Sequence, residues 1–365
     1  MPIKRANWPG GRLVQLDHDS LVLAGNPLGD PQRRKLPVWL PPDYDQPGQE
    51  QKRYPVLYDL AGFTGSGLGH VNWKNFGENV IERAARLIHE GKMAPMILVF
   101  PDCFTALGGN QYINSSALGD YADYLTQELV PFVDAQFRTL ASRDHRGCFG
   151  HSSGGYGAMV HVMRYPETWG AAANHSGDAY FDFVYRNAWA DTLNTLARHA
   201  EPQRREGPID IAALERGCDQ GLDDGRVKRF LEAFWKSNKA KNVDTLMNVA
   251  MAASYDPDPA APNGFRLPFN LETGELLPQR WQQWLRHDPI NMVAGHLDAL
   301  RSLKGLYIDC GWADQYQIHF GCRILSKRLT AHGIPHVYEE FNDNHSGVDY
   351  RLDHSLPFLS QALAG

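Results

Sequence analysis

Short apolar runs that end in Gly, Pro or Asp recur along this chain, separated by longer stretches in which apolar residues return every three or four positions. The short runs suit buried strands and the longer period suits helices laid on them, so the alternation predicts an α/β protein with a mostly parallel central sheet. The clearest strands are Pro55 to Leu60, Met96 to Phe100, Arg146 to Phe149, Gly305 to Cys310 and His336 to Phe341. Trp73, Phe76, Val80, Ala84, Leu87 and Ile88 share one helical face, as do Tyr121, Tyr124, Leu125, Leu129 and Phe132. Leu13 to Leu40, with turns at DHDS and GNPLGDPQ, reads as an antiparallel meander leading into the parallel part.

The rhythm breaks between residues 180 and 296, where long helical stretches such as VKRFLEAFWKSN and VDTLMNVAMAASY replace it. That segment reads as an inserted helical cap, with residues 1–179 and 297–365 as the two parts of one core. No internal repeat or low-complexity tract interrupts this picture.

Composition narrows the function classes. With 43% hydrophobic and 21% charged residues the chain has what a buried sheet requires, and disorder is a poor reading of it. The net charge is −6 with Lys and Arg scattered, so no basic stripe offers itself to nucleic acid. The basic start, MPIKRANWPGGRLVQ, leads into no apolar run of signal-peptide length, and nowhere are there about 18 consecutive apolar residues. The expectation is a soluble cytoplasmic protein with no membrane partner. Cys103, Cys148, Cys218, Cys310 and Cys322 show no metal or redox spacing and read as reduced and mostly buried.

The chemistry begins at Gly150, His151, Ser152, Ser153, Gly154, a GxSxG pattern between a predicted strand and a predicted helix. On such a turn the serine hydroxyl is thrust out of the sheet edge, which suits a nucleophile. A serine hydroxyl needs a base, and the base needs an anion to fix its tautomer. In α/β-hydrolase folds the order along the chain is Ser, acid, His. Asp314 lies in the loop after the GLYIDC strand and His345 in the loop after HVYEEF, so they are the candidate acid and base. Asp309 is the competing acid, but strand alternation turns it away; His354, in a helical stretch, is the competing base. The oxyanion of an acyl-transfer reaction also needs backbone donors. Ser153 N–H, directly after the nucleophile, is one. Phe63 N–H, in the glycine-rich loop after PVLYDL, is the other, with Gly62 as second choice.

Taken together, LPVWLPPDYD, YPVLYDLAGFTGSG, MAPMILVFPD, DYLTQELVPFVDAQFRT, GHSSGGYGAM, CGWADQY and EEFNDNHS resemble, in order, the esterase D family of α/β hydrolases. That family includes S-formylglutathione hydrolases, enterochelin esterases, feruloyl esterases and mycolyl transferases. The resemblance implies an α/β-hydrolase fold and a serine carboxylic ester hydrolase. It implies Ser152 as nucleophile, Asp314 as acid, His345 as base, and Phe63 and Ser153 as oxyanion donors. The chain departs from its relatives at Leu60, Ala61, Gly62 and at Asn344, His345, Ser346, which bears on the substrate more than on the reaction. Aromatic residues of the insertion (Trp189, Phe230, Phe234, Trp235, Phe265, Phe269, Trp281, Trp284) are candidates for an apolar pocket or for the insertion's own core.

The expected partner is a small-molecule ester, with no cofactor and no metal, since no HExxH or paired-ligand spacing accompanies the histidines. Acyl transfer or thioester cleavage would use the same residues. From other classes, a non-catalytic binding module on this fold and a metal-dependent hydrolase are the alternatives, and the sequence leaves the oligomeric state open, a homo-oligomer included.

Overall fold

A computed structural model describes residues 8–200, 208, 223–237 and 241–364. Its strands are β1 (Arg12–Asp19), β2 (Arg33–Leu40), β3 (Val56–Leu60), β4 (Ile97–Val99), β7 (Arg146–His151), β8 (Ala171–His175), β9 (Gly305–Gly311) and β10 (Val337–Phe341), with a separate two-residue hairpin of β5 (Asn114–Ser115) and β6 (Gly119–Asp120). The main sheet has eight strands in the order β1-β2-β4-β3-β7-β8-β9-β10. β1 pairs antiparallel with β2, and β2 with β4; every later pairing is parallel. The meander and the parallel body are therefore both present.

Parallel strands covered on two sides must be apolar on both faces. Val56, Tyr58, Leu60 and Cys148 pack into one core with the Ser153–Arg164 helix. Leu57, Phe149, Ala171, Ala173 and Tyr307 pack into the other with the Val80–His89 and Leu352–Leu363 helices.

Two helices differ from the periodic reading. The stripe from Trp73 to Ile88 does not start at Trp73: Phe76 is fully exposed, Trp73 is half exposed, and the helix begins at Val80. A capping box explains the boundary. Asn79 Oδ1 accepts the Glu82 N–H at 2.8 Å, and Glu82 Oε2 accepts the Asn79 N–H at 2.9 Å. The stretch from Tyr121 contains a wide turn over Tyr124–Leu129, where Val130 N–H reaches back to the Leu125 carbonyl. Pro131, which has no N–H to give, follows at once.

Between β8 and β9 the described residues form helices, among them Trp189–Ala197, Arg226–Lys236, Val243–Tyr255 and Pro278–Leu285. Trp189, Phe230, Phe265, Phe269, Trp281 and Trp284 are buried in the core shared with the sheet, whereas Trp235 is half exposed. Cys103, Cys148, Cys310 and Cys322 are free and buried; Cys218 lies outside the described residues. Among the described residues no helix is long and apolar enough to cross a membrane.

The order places a topological switch point between β3 and β7. The chain leaves β3 for β4 on one side, then crosses to β7 on the other. Ligands of open α/β sheets gather outside the carboxyl ends of the strands that flank such a point. Here those ends carry Leu60, Ala61, Gly62 and His151, Ser152.

Candidate active site

Ser152 stands between the last residue of β7 and the first of the Ser153–Arg164 helix, with φ 58° and ψ −125°. A non-glycine residue held at positive φ costs on the order of 1–3 kcal/mol, and the surroundings must enforce it. Its N–H donates to the His175 carbonyl of β8 at 2.9 Å. The helix starts directly against β3: a Cβ on Gly154 would sit 1.8 Å from the Leu60 carbonyl oxygen, and one on Gly150 would sit 2.3 Å from the same atom. Only glycine permits that approach.

The loops after β9 and β10 are zipped together, Trp312 N–H donating to the Phe341 carbonyl at 3.0 Å and Ala313 N–H to that of Asp343 at 3.1 Å. This brings Asp314 Oδ2 to 2.6 Å from His345 Nδ1. Asp314 Oδ1 accepts the Tyr316 N–H at 2.8 Å, and His345 N–H donates to Gln315 Oε1 at 3.0 Å, so both partners are tethered. A carboxylate facing Nδ1 holds the proton on that nitrogen and leaves Nε2 to accept. The His345 ring also lies edge-on to Tyr316 at 4.8 Å and 4.4 Å from the ring of His151, the residue before Ser152. Asp314 and His345 are both buried.

The loop after β3 runs beside the serine. A Cβ on Gly62 would lie 3.4 Å from Ser152 Cβ. The loop is fixed by Tyr112, whose hydroxyl donates to the Ala61 carbonyl at 2.5 Å, and by Thr64 N–H on the Gly108 carbonyl at 2.8 Å. Among the described residues, the N–H groups of Gly62, Phe63 and Ser153 donate to no protein acceptor. Donors left open beside a serine are what a developing oxyanion requires.

The rival residues fall elsewhere. Asp309 is bound to His175 Nδ1 at 2.7 Å and to Arg351 Nε at 2.9 Å, and His354 is half exposed in the Leu352–Leu363 helix, 3.6 Å from Glu339. Sequence reasoning missed His151 and His175. His151 has a buried Nε2 with no partner among the described residues; burial first, then the charges of His345 and His175, push its pKa down to about 3. A neutral ring therefore lies against His345. Below it is a cavity of about 120 Å³ lined by Asp59, His70, Lys74, His151, His175 and Asp349. Among the described residues no three His, Cys, Asp or Glu side chains are grouped to hold a metal ion.

Comparison with known proteins adds to this geometry. A family model described as "Putative esterase" matches residues 30–352. Over 236 residues the chain is 35% identical to Esterase Rv1288 of Mycobacterium tuberculosis, covering 61% of this chain and 43% of that protein. Over 144 residues it is 31% identical to an endo-1,4-beta-xylanase/feruloyl esterase of Xylanibacter ruminicola, covering 39% of this chain and 19% of that protein. The chain thus spans less than half the length of these curated relatives. Among solved structures it superposes on a ferulic acid esterase with a TM-score of 0.57 at 18% identity, covering 98% of this chain and 100% of that one. An S-formylglutathione hydrolase from Agrobacterium tumefaciens gives a TM-score of 0.56 at 17% identity, with 99% of each chain covered. These likenesses show the α/β-hydrolase fold.

Proposed function

The chain belongs to the Putative esterase family, and from that premise we propose that it hydrolyses carboxylic esters through an acyl-enzyme formed on Ser152. The observation that carries this reading is the Asp314–His345 pair, 2.6 Å apart, with the His345 ring 4.4 Å from that of His151, the residue before a serine held at positive φ at the sheet's switch point. Ser152 Oγ attacks the ester carbonyl carbon while His345 Nε2 takes its proton, and Asp314 steadies the imidazolium that forms. Phe63 and Ser153 N–H groups receive the oxyanion, a role in which one lost donor costs about 3–4 kcal/mol. The tetrahedral intermediate collapses, the C–O bond to the alcohol breaks, and His345 returns the proton to the leaving alkoxide. Water then attacks the acyl-enzyme by the same route and frees the acid and Ser152.

The insertion over residues 180–296 is read as a cap on this site. In support, a Cβ on Gly108 would lie 3.0 Å from Leu246 of the Val243–Tyr255 helix and 3.1 Å from the Phe63 ring, so the insertion reaches the proposed oxyanion loop.

The direct test is labelling with a fluorophosphonate probe followed by peptide mass spectrometry. A phosphonylated peptide containing Ser152 is expected, and Ser152→Ala is expected to lose turnover of a short-chain aryl ester while unfolding at the wild-type temperature. Full turnover by Ser152→Ala would end the proposal.

A further inference from the structure

Across four adjacent parallel strands, polar residues stand in register: His151 of β7 opposite His175 of β8, His175 opposite Asp309 of β9, and Asp309 opposite Glu339 of β10. The centre of this row is fully bonded. His175 Nδ1 is 2.7 Å from Asp309 Oδ1, and His175 Nε2 is 2.8 Å from the Ser355 hydroxyl. Arg351 Nε donates to Asp309 Oδ2 at 2.9 Å, and Arg351 Nη2 donates to the Tyr307 hydroxyl at 2.9 Å and to Glu339. Burial pushes the Asp309 carboxyl up, yet the charges and hydrogen bonds of His175 and Arg351 overcome it and hold the group below its ordinary value.

The group has the residue types of a catalytic triad, but Ser355 and Asp309 are both 0% exposed, so no substrate reaches it. What it touches instead are the three segments that carry the proposed site. The His175 carbonyl anchors the Ser152 N–H at 2.9 Å. Asp309 lies on the strand that leads to Asp314. Arg351 and Ser355 belong to the helical segment that follows the His345 loop and tie it back onto β8 and β9.

We propose that Ser355, His175, Asp309 and Arg351 form a positioning clamp that holds the His345 loop and the Ser152 turn in mutual register. This rests on the reading of Ser152 as nucleophile. The clamp residues act through Ser152 and His345 and make no contact with substrate. Alignment of reacting groups is steeply rewarded, a displacement of about 1 Å costing up to about a hundredfold in rate.

The test compares Ser355→Ala with Ser355→Thr, which keeps a hydroxyl, and with Leu356→Val, which loosens the same helix from its apolar side. For Ser355→Ala, kcat on a short-chain aryl ester is expected to fall about tenfold with KM within twofold, and the rate of fluorophosphonate labelling to fall by the same factor. Ser355→Thr is expected to recover most of the loss, and Leu356→Val to lower the melting temperature without the kcat loss. If Ser355→Ala is labelled at the wild-type rate, or Leu356→Val loses as much kcat, the clamp is overturned. If the wild-type protein takes no probe at Ser152, it is the esterase reading that fails.

Discussion

Replacing Asp314 by Asn probes the proposed chemistry through a single atom. Asp314 Oδ1 accepts the Tyr316 N–H at 2.8 Å, while Oδ2 faces His345 Nδ1 at 2.6 Å. An asparagine must keep its carbonyl oxygen on Tyr316, because the other orientation sets an NH2 group against an N–H. Its amide nitrogen then points at His345 Nδ1 as a donor. The ring answers by accepting on Nδ1 and carrying its proton on Nε2, the tautomer that cannot take a proton from Ser152. In serine hydrolases the equivalent exchange costs about ten-thousand-fold in kcat, or about 5 kcal/mol of transition-state stabilisation. The substitution is isosteric at a buried position, so the melting temperature is expected to move by only a few degrees. Measured as kcat/KM on a short-chain aryl ester at neutral pH, Asp314→Asn is expected to lose about a thousand- to ten-thousand-fold. Activity within tenfold of wild type in a folded variant would move the acid to another residue.

Two further outcomes follow from packing and titration. Gly154→Ala forces a methyl to within 1.8 Å of the Leu60 carbonyl, backbone that has no rotamer to yield; a loss of about 3 kcal/mol or more in urea unfolding is expected, and an unchanged midpoint would contradict the close approach. His161 is buried, accepts the Trp169 indole N–H on Nδ1 at 3.1 Å and faces the Tyr112 carbonyl through Nε2 at 2.7 Å; burial, helped by Arg164 and opposed by the Tyr112 bond, lowers its pKa from 6.5 to about 4. Because the folded value is the lower one, the unfolded chain binds the proton first, so this group's contribution is complete above pH about 6.5 and is lost as pH falls toward about 4. Urea titrations of wild type and His161→Gln over that range should converge by about 3 kcal/mol as pH falls, and a constant difference would refute the assignment.

Much of the fold was legible because parallel strands buried on both faces read as near-continuous apolar runs, as Ile97–Val99 does and as Val56–Leu60 does but for Asp59. β8 was not, because its AAANH carries none of the β-branched or aromatic residues that mark a strand. Its alanines are small where the strand lies between the sheet's two packed faces, and only pairing with β7 and β9 makes it a strand. Trp73 and Phe76 misled in the opposite sense: they continue the period of the following helix, but a capping box at Asn79 ends it before them. Periodicity describes which residues could share a face; the cap decides where the face begins.

The candidate site divides along the same line. The Ser152 turn is local, written in glycines whose spacing the steric contact with Leu60 demands, so a short motif reveals it. The choice between Asp309 and Asp314 is harder, since both lie near the end of β9. Alternation resolves it. Asp309 points with Tyr307 toward the Leu352–Leu363 side of the sheet and meets Arg351 and His175. Asp314 lies beyond Gly311, where a Cβ would fall 2.4 Å from the Asp343 carbonyl and the loops of β9 and β10 are pressed together. That contact, rather than the order of residues along the chain, delivers a carboxylate to His345. His175 and Ser355 had no such signal, for they meet only through the register of β7, β8 and β9 and the helix that closes over them. What the motif could not reveal is therefore what surrounds it: the groups of the proposed clamp, which join the Ser152 turn and the helical segment after the His345 loop to β8 and β9, are drawn from strands and a helix that share no sequence neighbourhood.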